Sequence, residues 1–234
     1  MQGFFITGTD TEVGKTWISL GIVEALKQQN KKVGVMKPVS AGCEKTDDGL
    51  RNEDALLLQQ QSNVELDYET VNPYAFEPAI APHIAAASEG VRIDIEKLYQ
   101  HFQTIHQQSD CVVVEGAGGW QVPLNDFQTM ADLAKTFELP VILVVGMRLG
   151  CLNHALLSVE SIRSSNLPLA GWVANQVSAE MNCLDENIQT LQQMIDAPML
   201  GHTPNLETLD IKAIAEKLSL PAEQNNGLKP HWAI

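Results

Sequence analysis

Gly8-Thr9-Asp10-Thr11-Glu12-Val13-Gly14-Lys15-Thr16 follows a short apolar run, Phe4-Phe5-Ile6, and opens a helical pattern. Backbone N–H groups of a glycine-rich turn, together with the positive end of the helix it feeds, converge on one point and make a phosphate site. In such a loop Lys15 reaches β- and γ-phosphate oxygens and the Thr16 hydroxyl coordinates Mg²⁺. Five residues, Thr9 to Val13, separate the two glycines, one more than in the common form. Two of the five, Asp10 and Glu12, are acids in a place meant for anions. They are expected to point away from the phosphates, towards solvent, the metal shell or an amine.

Other chemistry-bearing residues sit where apolar runs end. Lys37 closes one run and is followed by Pro38 and by the small residues Ser40, Ala41 and Gly42, which suit close approach of a ligand. Glu115 closes another and precedes Gly116, Ala117, Gly118 and Gly119. A carboxylate there serves as a Mg²⁺ ligand or positions water, and glycines let the backbone approach phosphates. Asp54 stands at a helix start, where it is either a favourable dipole charge or a second carboxylate for the metal. Gly150-Cys151-Leu152-Asn153 forms a further glycine-containing turn into a helix, suited to a carboxylate. Asn175 ends the next run and offers both a donor and an acceptor, as a purine edge requires. Asn175-Gln176-Val177-Ser178 lacks the Asn-Lys-x-Asp pattern of guanine readers, which favours adenine.

These residues need a scaffold that brings strand ends together. Apolar runs at 3–7, 33–37, 111–115, 141–145 and 170–175 are continuous rather than alternating, as in strands buried on both faces of a parallel sheet. Helical patterns at 14–29, 52–60, 95–107, 130–137, 153–165 and 183–195 lie between them. This alternation predicts an α/β fold, a doubly wound, mostly parallel sheet with ligands at the carboxyl ends of its strands. Residues 71–82 carry three prolines and read as irregular, either a surface connection or a lid. Residues 221–234 show no periodicity. With no repeat and no linker, the expected organisation is one P-loop domain over 1–234.

Fifteen basic residues against 29 acidic ones give a net charge of −14. A chain this acidic repels nucleic acid and anionic lipid at long range, so a polyanionic ligand must be held by a local site. Four scattered cysteines lack metal or disulfide spacing. No apolar run approaches a membrane span. The expectation is a cytoplasmic protein that binds neither nucleic acid nor membrane.

"GTDTEVGKT", "KPVSAG", "LRNEDALLL", "VNPYAF", "VEGAGGW", "PVILVVG", "LGCLNHALL" and "LAGWVAN" occur in this order over most of the chain. Together they closely resemble the dethiobiotin synthetases of the biotin pathway, whose phosphate loop has the longer form. The resemblance implies ATP as co-substrate, Mg²⁺ as cofactor, and 7,8-diaminononanoate and CO₂ as small-molecule substrates of a homodimer. It implies catalytic roles for Thr11, Lys15 and Lys37. ATP would be bound by Glu12, Val13, Gly14, Lys15, Thr16, Trp17, Asp54, Glu115, Gly116, Ala117, Gly118, Asn175, Gln176, Pro204, Asn205 and Leu206. Mg²⁺ would be held by Thr16, Asp54 and Glu115, and substrate by Thr11, Lys37, Ser40, Ala41 and Gly150 to Asn153. The family commonly has Ser or Thr where this chain has Ala41. A partitioning-type P-loop switch ATPase is the alternative, but such loops carry an early lysine where this chain has Gly8-Thr9-Asp10.

Overall fold

The computed structural model describes residues 3–221. β1 (Gly3–Gly8) leads through the glycine-rich loop into α1 (Lys15–Gln28), and β2 (Val33–Met36) follows. Next come β3 (Val39–Ala41), β4 (Glu44–Thr46), β5 (Gly49–Arg51), α2 (Glu53–Gln61), α3 (Tyr68–Val71), β6 (Tyr74–Phe76), α4 (Pro82–Ser88) and α5 (Ile95–His106). The remainder alternates strictly: β7 (Cys111–Gly119), α6 (Met130–Phe137), β8 (Val141–Met147), α7 (Cys151–Ser164), β9 (Leu169–Gln176), α8 (Leu184–Met194), β10 (Met199–Thr203) and α9 (Ile211–Glu216).

Six strands form one sheet in the order β10-β9-β8-β1-β7-β2, every neighbouring pair parallel. All seven residues of β8 are buried. That is why its sequence is an unbroken apolar run and not an alternation. β1 lies between β7 and β8, so the chain leaves β1 towards one edge of the sheet and later returns to build the other. The loops after β1, β7 and β8 therefore flank one crevice at the carboxyl ends of the strands. Packing against this sheet, α1 buries Ile18, Leu20, Ile22, Val23 and Leu26.

Several elements differ from the sequence expectation. β7 runs on to Gly119 instead of ending at Glu115. Its register against β1 shifts between the pairs Ile6–Glu115 and Gly8–Gly119. The bulge lets the strand carry its glycines across the phosphate loop. Residues 71–82 are not wholly irregular: Tyr74–Phe76 forms β6, which pairs with β3 in a small parallel sheet, and Pro82 begins α4. Proline is compatible with both, because it is tolerated at a first helical position and outside the strand itself. β10 is an edge strand with Gly201 and His202 at its centre and only two of five residues buried, too weak a pattern to be read from sequence. Of the 221–234 tail, all but Pro221 lies outside the described residues. No helix among the described residues is long and apolar enough to cross a membrane.

A buried polar network ties the small sheet to the large one. Asn72, 3% exposed, donates through Nδ2 to the Lys37 carbonyl at 2.6 Å. Its Oδ1 accepts from Ser40 Oγ at 2.8 Å and from the Tyr68 hydroxyl at 2.9 Å. Tyr68 in turn accepts from the Asn52 N–H at 2.8 Å, and Asn52 caps α2 by accepting from the Ala55 N–H at 3.1 Å. One carboxamide thus fixes both the exit of Lys37 from β2 and the start of the helix that carries Asp54.

Asn72→Ala strands two buried hydroxyls and one carbonyl. It is expected to cost at least ~2 kcal/mol and to lower Tm by roughly 4–8 °C in a chain of this size. A thermal melt that barely shifts would remove the network from the account of stability.

Candidate functional site

The glycine-rich loop is anchored from beneath. Val13 is fully buried under two glycines. A Cβ added at Gly8 would lie 2.6 Å from Val13 Cγ2, and one at Gly146 would lie 2.7 Å from Val13 Cγ1. Gly14, which caps α1, has φ 82°, and a Cβ there would meet Asn175 Nδ2 at 2.2 Å. Asn175 Nδ2 donates to the Val13 carbonyl at 2.8 Å, while its Oδ1 accepts from Thr203 Oγ1 at 2.5 Å. Thr9 N–H donates to the Val144 carbonyl at 3.0 Å. The loop therefore rests on β8 and β9, with Thr203 of β10 bracing Asn175.

Above the loop, four charged side chains from four segments converge. Lys37 Nζ, at the end of β2, bonds Glu115 Oε1 at 2.5 Å and Asp54 Oδ2 at 3.1 Å. Thr16 Oγ1 donates to the same Glu115 Oε1 at 2.9 Å and also hydrogen-bonds Asp54. Lys15 Nζ folds back to donate to the Asp10 carbonyl at 2.9 Å. Burial alone would push the Lys37 ammonium down, but Glu115 and Asp54 outweigh it and hold it above the ordinary lysine range. Asp54, raised by its own desolvation, is brought below the ordinary carboxylate range mainly by Lys37. Lys15 has no such carboxylate partner. Burial first, and the neighbouring charge of Lys37 second, lower it to about 8.

Thr16, Asp54 and Glu115 thus meet at one point, and they are the oxygen donors expected of a Mg²⁺ site. Glu115 is fully buried, and its Oε2 has no hydrogen-bond partner among the described residues. Such an orphaned carboxylate oxygen suits a hard cation. No group of three or more His, Cys, Asp and Glu side chains among the described residues could hold a metal alone. The remaining coordination would come from phosphate oxygens and water, as is usual for Mg²⁺.

These groups line a cleft of about 820 Å³ that runs from Thr11, Lys15, Thr16, Lys37, Asp54 and Glu115 to an apolar wall. Ala41, Ile80, Pro82, Val122 and Pro123 form that wall. Residues 79–82 thus belong to the site, not to a remote connection. A smaller cavity of about 180 Å³ adjoins it, lined by Glu12, Gly14, Trp17, Asn175, Gln176, Val177 and Pro204 to Leu206. Ser40 and Ala41 both reach the larger cleft, but the Ser40 hydroxyl is taken up by Asn72 and by Cys43 Sγ, 3.2 Å away. Gly116 lies in β7 beneath the cleft, beside Ala117 and Gly118, which line it. Gly150, Cys151, Leu152 and Asn153 do not line either cavity. They form the cap and first turn of α7, next to a fully exposed Leu149.

Of the two loop acids, Asp10 pairs with Arg148 from the β8–α7 loop, and its Oδ1 accepts from the Thr11 N–H at 2.8 Å. Glu12 is exposed, with φ 59°, and borders both cavities. Sequence reasoning missed Arg148, Asn72 and Thr203. Arg148 sits in a loop already marked by its glycine; a cation there opposite an otherwise unexplained Asp10 was the available signal. Asn72 and Thr203 act through other side chains and leave no local pattern.

An AAA domain family model matches residues 2–213. An ATP-dependent dethiobiotin synthetase BioD of Cellvibrio japonicus is 51% identical over 94% of this chain and 96% of its own length. Its counterpart in Pseudomonas aeruginosa is 49% identical over 94% and 97%, and one in Escherichia coli O157:H7 is 49% identical over 86% and 89%. Among solved structures, the MinD cell division protein of Aquifex aeolicus superposes with TM-score 0.55 at 16% identity, covering 93% of this chain and 87% of the other. The MinC:MinD complex from the same organism gives 0.56 at 19%, with the same coverage. At such identity the likeness is one of fold, a P-loop NTPase-like α/β sheet.

Breaking the buried ion pair isolates its contribution. Lys37→Met leaves Glu115 charged and stranded, and is expected to cost about 3 kcal/mol of stability. Adding Glu115→Gln removes the stranded charge and should restore most of that loss. Denaturant titration of the two single variants and the double variant measures the coupling. Additive losses would mean that Lys37 and Glu115 do not depend on each other.

Proposed function

The chain belongs to the ATP-dependent dethiobiotin synthetases, and on that premise we propose that its single P-loop domain joins CO₂ to 7,8-diaminononanoate in the cytoplasm. One amine takes up CO₂ as a carbamate. A carbamate oxygen attacks the γ-phosphorus of ATP, forming a carbamic-phosphoric anhydride and releasing ADP. The second amine attacks the carbamate carbon, closes the ureido ring and expels phosphate. The products are dethiobiotin, ADP and phosphate.

The observation that carries this reading is the continuity of the phosphate cradle with a cleft that has a charged floor and an apolar wall. Phosphoryl transfer asks a protein chiefly to position the reactants and neutralise oxygens that gain charge. Lys15 and Lys37 flank the junction between cradle and cleft and are suited to the transferred phosphoryl and carbamate oxygens. Thr11, at the rim of the same cleft, supplies a hydroxyl to either. The apolar wall fits the alkyl chain of the diamine. Thr16, Asp54 and Glu115 would hold Mg²⁺, which when bound neutralises β- and γ-phosphate oxygens. The N–H groups from Glu12 to Thr16 wrap the phosphates.

The smaller cavity suits the base. Each half of the Asn175 carboxamide spends one hydrogen bond on the protein, which leaves one Nδ2 hydrogen and one Oδ1 lone pair in fixed orientation. That pair matches N7 and the exocyclic amine of adenine. Gln176 and Pro204 to Leu206 complete the enclosure. We further propose a homodimer. Leu149 is fully exposed and Leu157 is 58% exposed, so the α7 end presents apolar surface that a second copy would cover. There the turn of Gly150 to Asn153, whose Cys151 N–H is already donated to the Arg148 carbonyl, would hold the substrate carboxylate brought by the other subunit through its remaining N–H groups.

Purified protein should release ADP only when the diamine and bicarbonate are both present. Equal ADP release with and without the diamine would return the chain to the switch-ATPase reading. Lys37→Met, assayed well below its melting temperature, should lose turnover while keeping ADP affinity within about threefold, under 0.7 kcal/mol.

Lys15 gives a pH signature. With its folded value near 8 and its unfolded value at 10.5, the ligand-free chain has lost the proton where the unfolded chain still holds it. Stability therefore rises with pH across that window. A phosphate beside Lys15 returns the proton, so ADP binding at pH 8 should take up roughly half a proton and weaken above that pH. Binding enthalpies measured in buffers of different ionisation enthalpy read the uptake. No uptake between pH 7.5 and 9 would remove Lys15 from the phosphates.

A further inference from the structure

Trp17 occupies a place that the carboxamide and the lysines leave unexplained. It is the third residue of α1 and only partly buried, with part of its surface packed on the core. The larger cleft and the smaller cavity share three lining residues, Glu12, Gly14 and Trp17. Of these, one is an exposed acid and one has no side chain, so Trp17 is the only broad apolar surface at the junction among the described residues. Val177, Pro204 and Leu206 line the same smaller cavity. Asn175 supplies edge-directed groups there, and an edge reader works only if the ring plane is held. Edge and face are separate tasks, and an indole beside a slot of about 180 Å³ suits the second.

We infer that Trp17 is the stacking platform for the nucleobase, its indole covering one face of the ring opposite the Pro204–Leu206 segment. The inference rests on the nucleotide reading above and deepens it. Stacking is tolerant of base identity because every base presents a π-face. Trp17 therefore sets the affinity for the nucleotide as a class, and Asn175 sets the preference for adenine. A tryptophan that merely filled the core would influence thermal stability and leave nucleotide affinity alone.

The full-length protein is titrated with ADP and with GDP by calorimetry, in the wild type and in Trp17→Leu and Trp17→Phe. Leucine keeps apolar bulk without a ring face, and phenylalanine keeps a smaller face. Trp17→Leu should raise Kd about tenfold for ADP and by a similar factor for GDP. Trp17→Phe should lose only about threefold. Saturating ADP should quench wild-type tryptophan emission, and the quench should be smaller in Trp17→Phe; of the other tryptophans, Trp120 and Trp172 are 3% and 0% exposed, and Trp232 lies outside the described residues. Trp17→Leu binding ADP as tightly as the wild type would overturn the stacking role alone. A wild-type chain that binds no ADP would overturn the nucleotide reading and this inference with it. A loss confined to ADP and absent for GDP would assign Trp17 to edge reading and overturn the division of tasks.

Discussion

A lysine ammonium that is 5% exposed is stable in a fold only if opposite charges meet it. In this protein Lys37 is met by Glu115 and Asp54. The three arrive from different directions: the end of β2, the middle of β7, and the first turn of α2. Bringing them together requires β2 and β7 to be neighbours and α2 to start beside them. The adjacent parallel pairing of β2 and β7 and the Asn52–Tyr68–Asn72 chain meet those two requirements. Removing one partner would leave a buried charge, which costs several kcal/mol. Specificity of assembly and the chemistry of the site thus rest on the same three atoms.

The phosphate loop has a second kind of constraint, one of shape. Its extra length accommodates Val13, an apolar side chain that descends between Gly8 and Gly146 and locks the loop to the sheet. A loop anchored by a buried valine and braced by Asn175 can point its N–H groups without the help of neutral side chains. Asp10 is then free to serve the loop's own architecture, capping Thr11 and pairing with Arg148. The acids that look misplaced in an anion site are one strut and one exposed rim residue.

What the sequence made legible follows from what leaves a local pattern. The four inner strands and the edge strand β2 announce themselves because they are covered on both faces and continuously apolar. The β1–loop–α1 unit is visible because glycine, lysine and threonine must sit at fixed offsets to cradle a phosphate. Lys37, Asp54 and Glu115 could be singled out as charges at strand and helix ends, but not as one another's partners, since 78 residues separate Lys37 from Glu115. β10 was illegible because only two of its five residues are buried. β6 was illegible because prolines flank it and its pairing partner, β3, is only three residues long. Residues such as Asn72 and Thr203 work through a second side chain, and nothing in their own neighbourhood in the sequence marks them.

The burial of Lys15 and Lys37 has a consequence for how a polyanion reaches the site. The chain as a whole carries −14, so its long-range field opposes an incoming nucleotide, while the attracting lysines are 7% and 5% exposed. Dissolved salt screens exposed charges over ~10 Å at 0.1 M but reaches buried ones far less. Moderate ionic strength therefore weakens the repulsion and spares the attraction. Electrolyte should assist the encounter here, the reverse of its effect on a basic protein that gathers phosphates with surface charge.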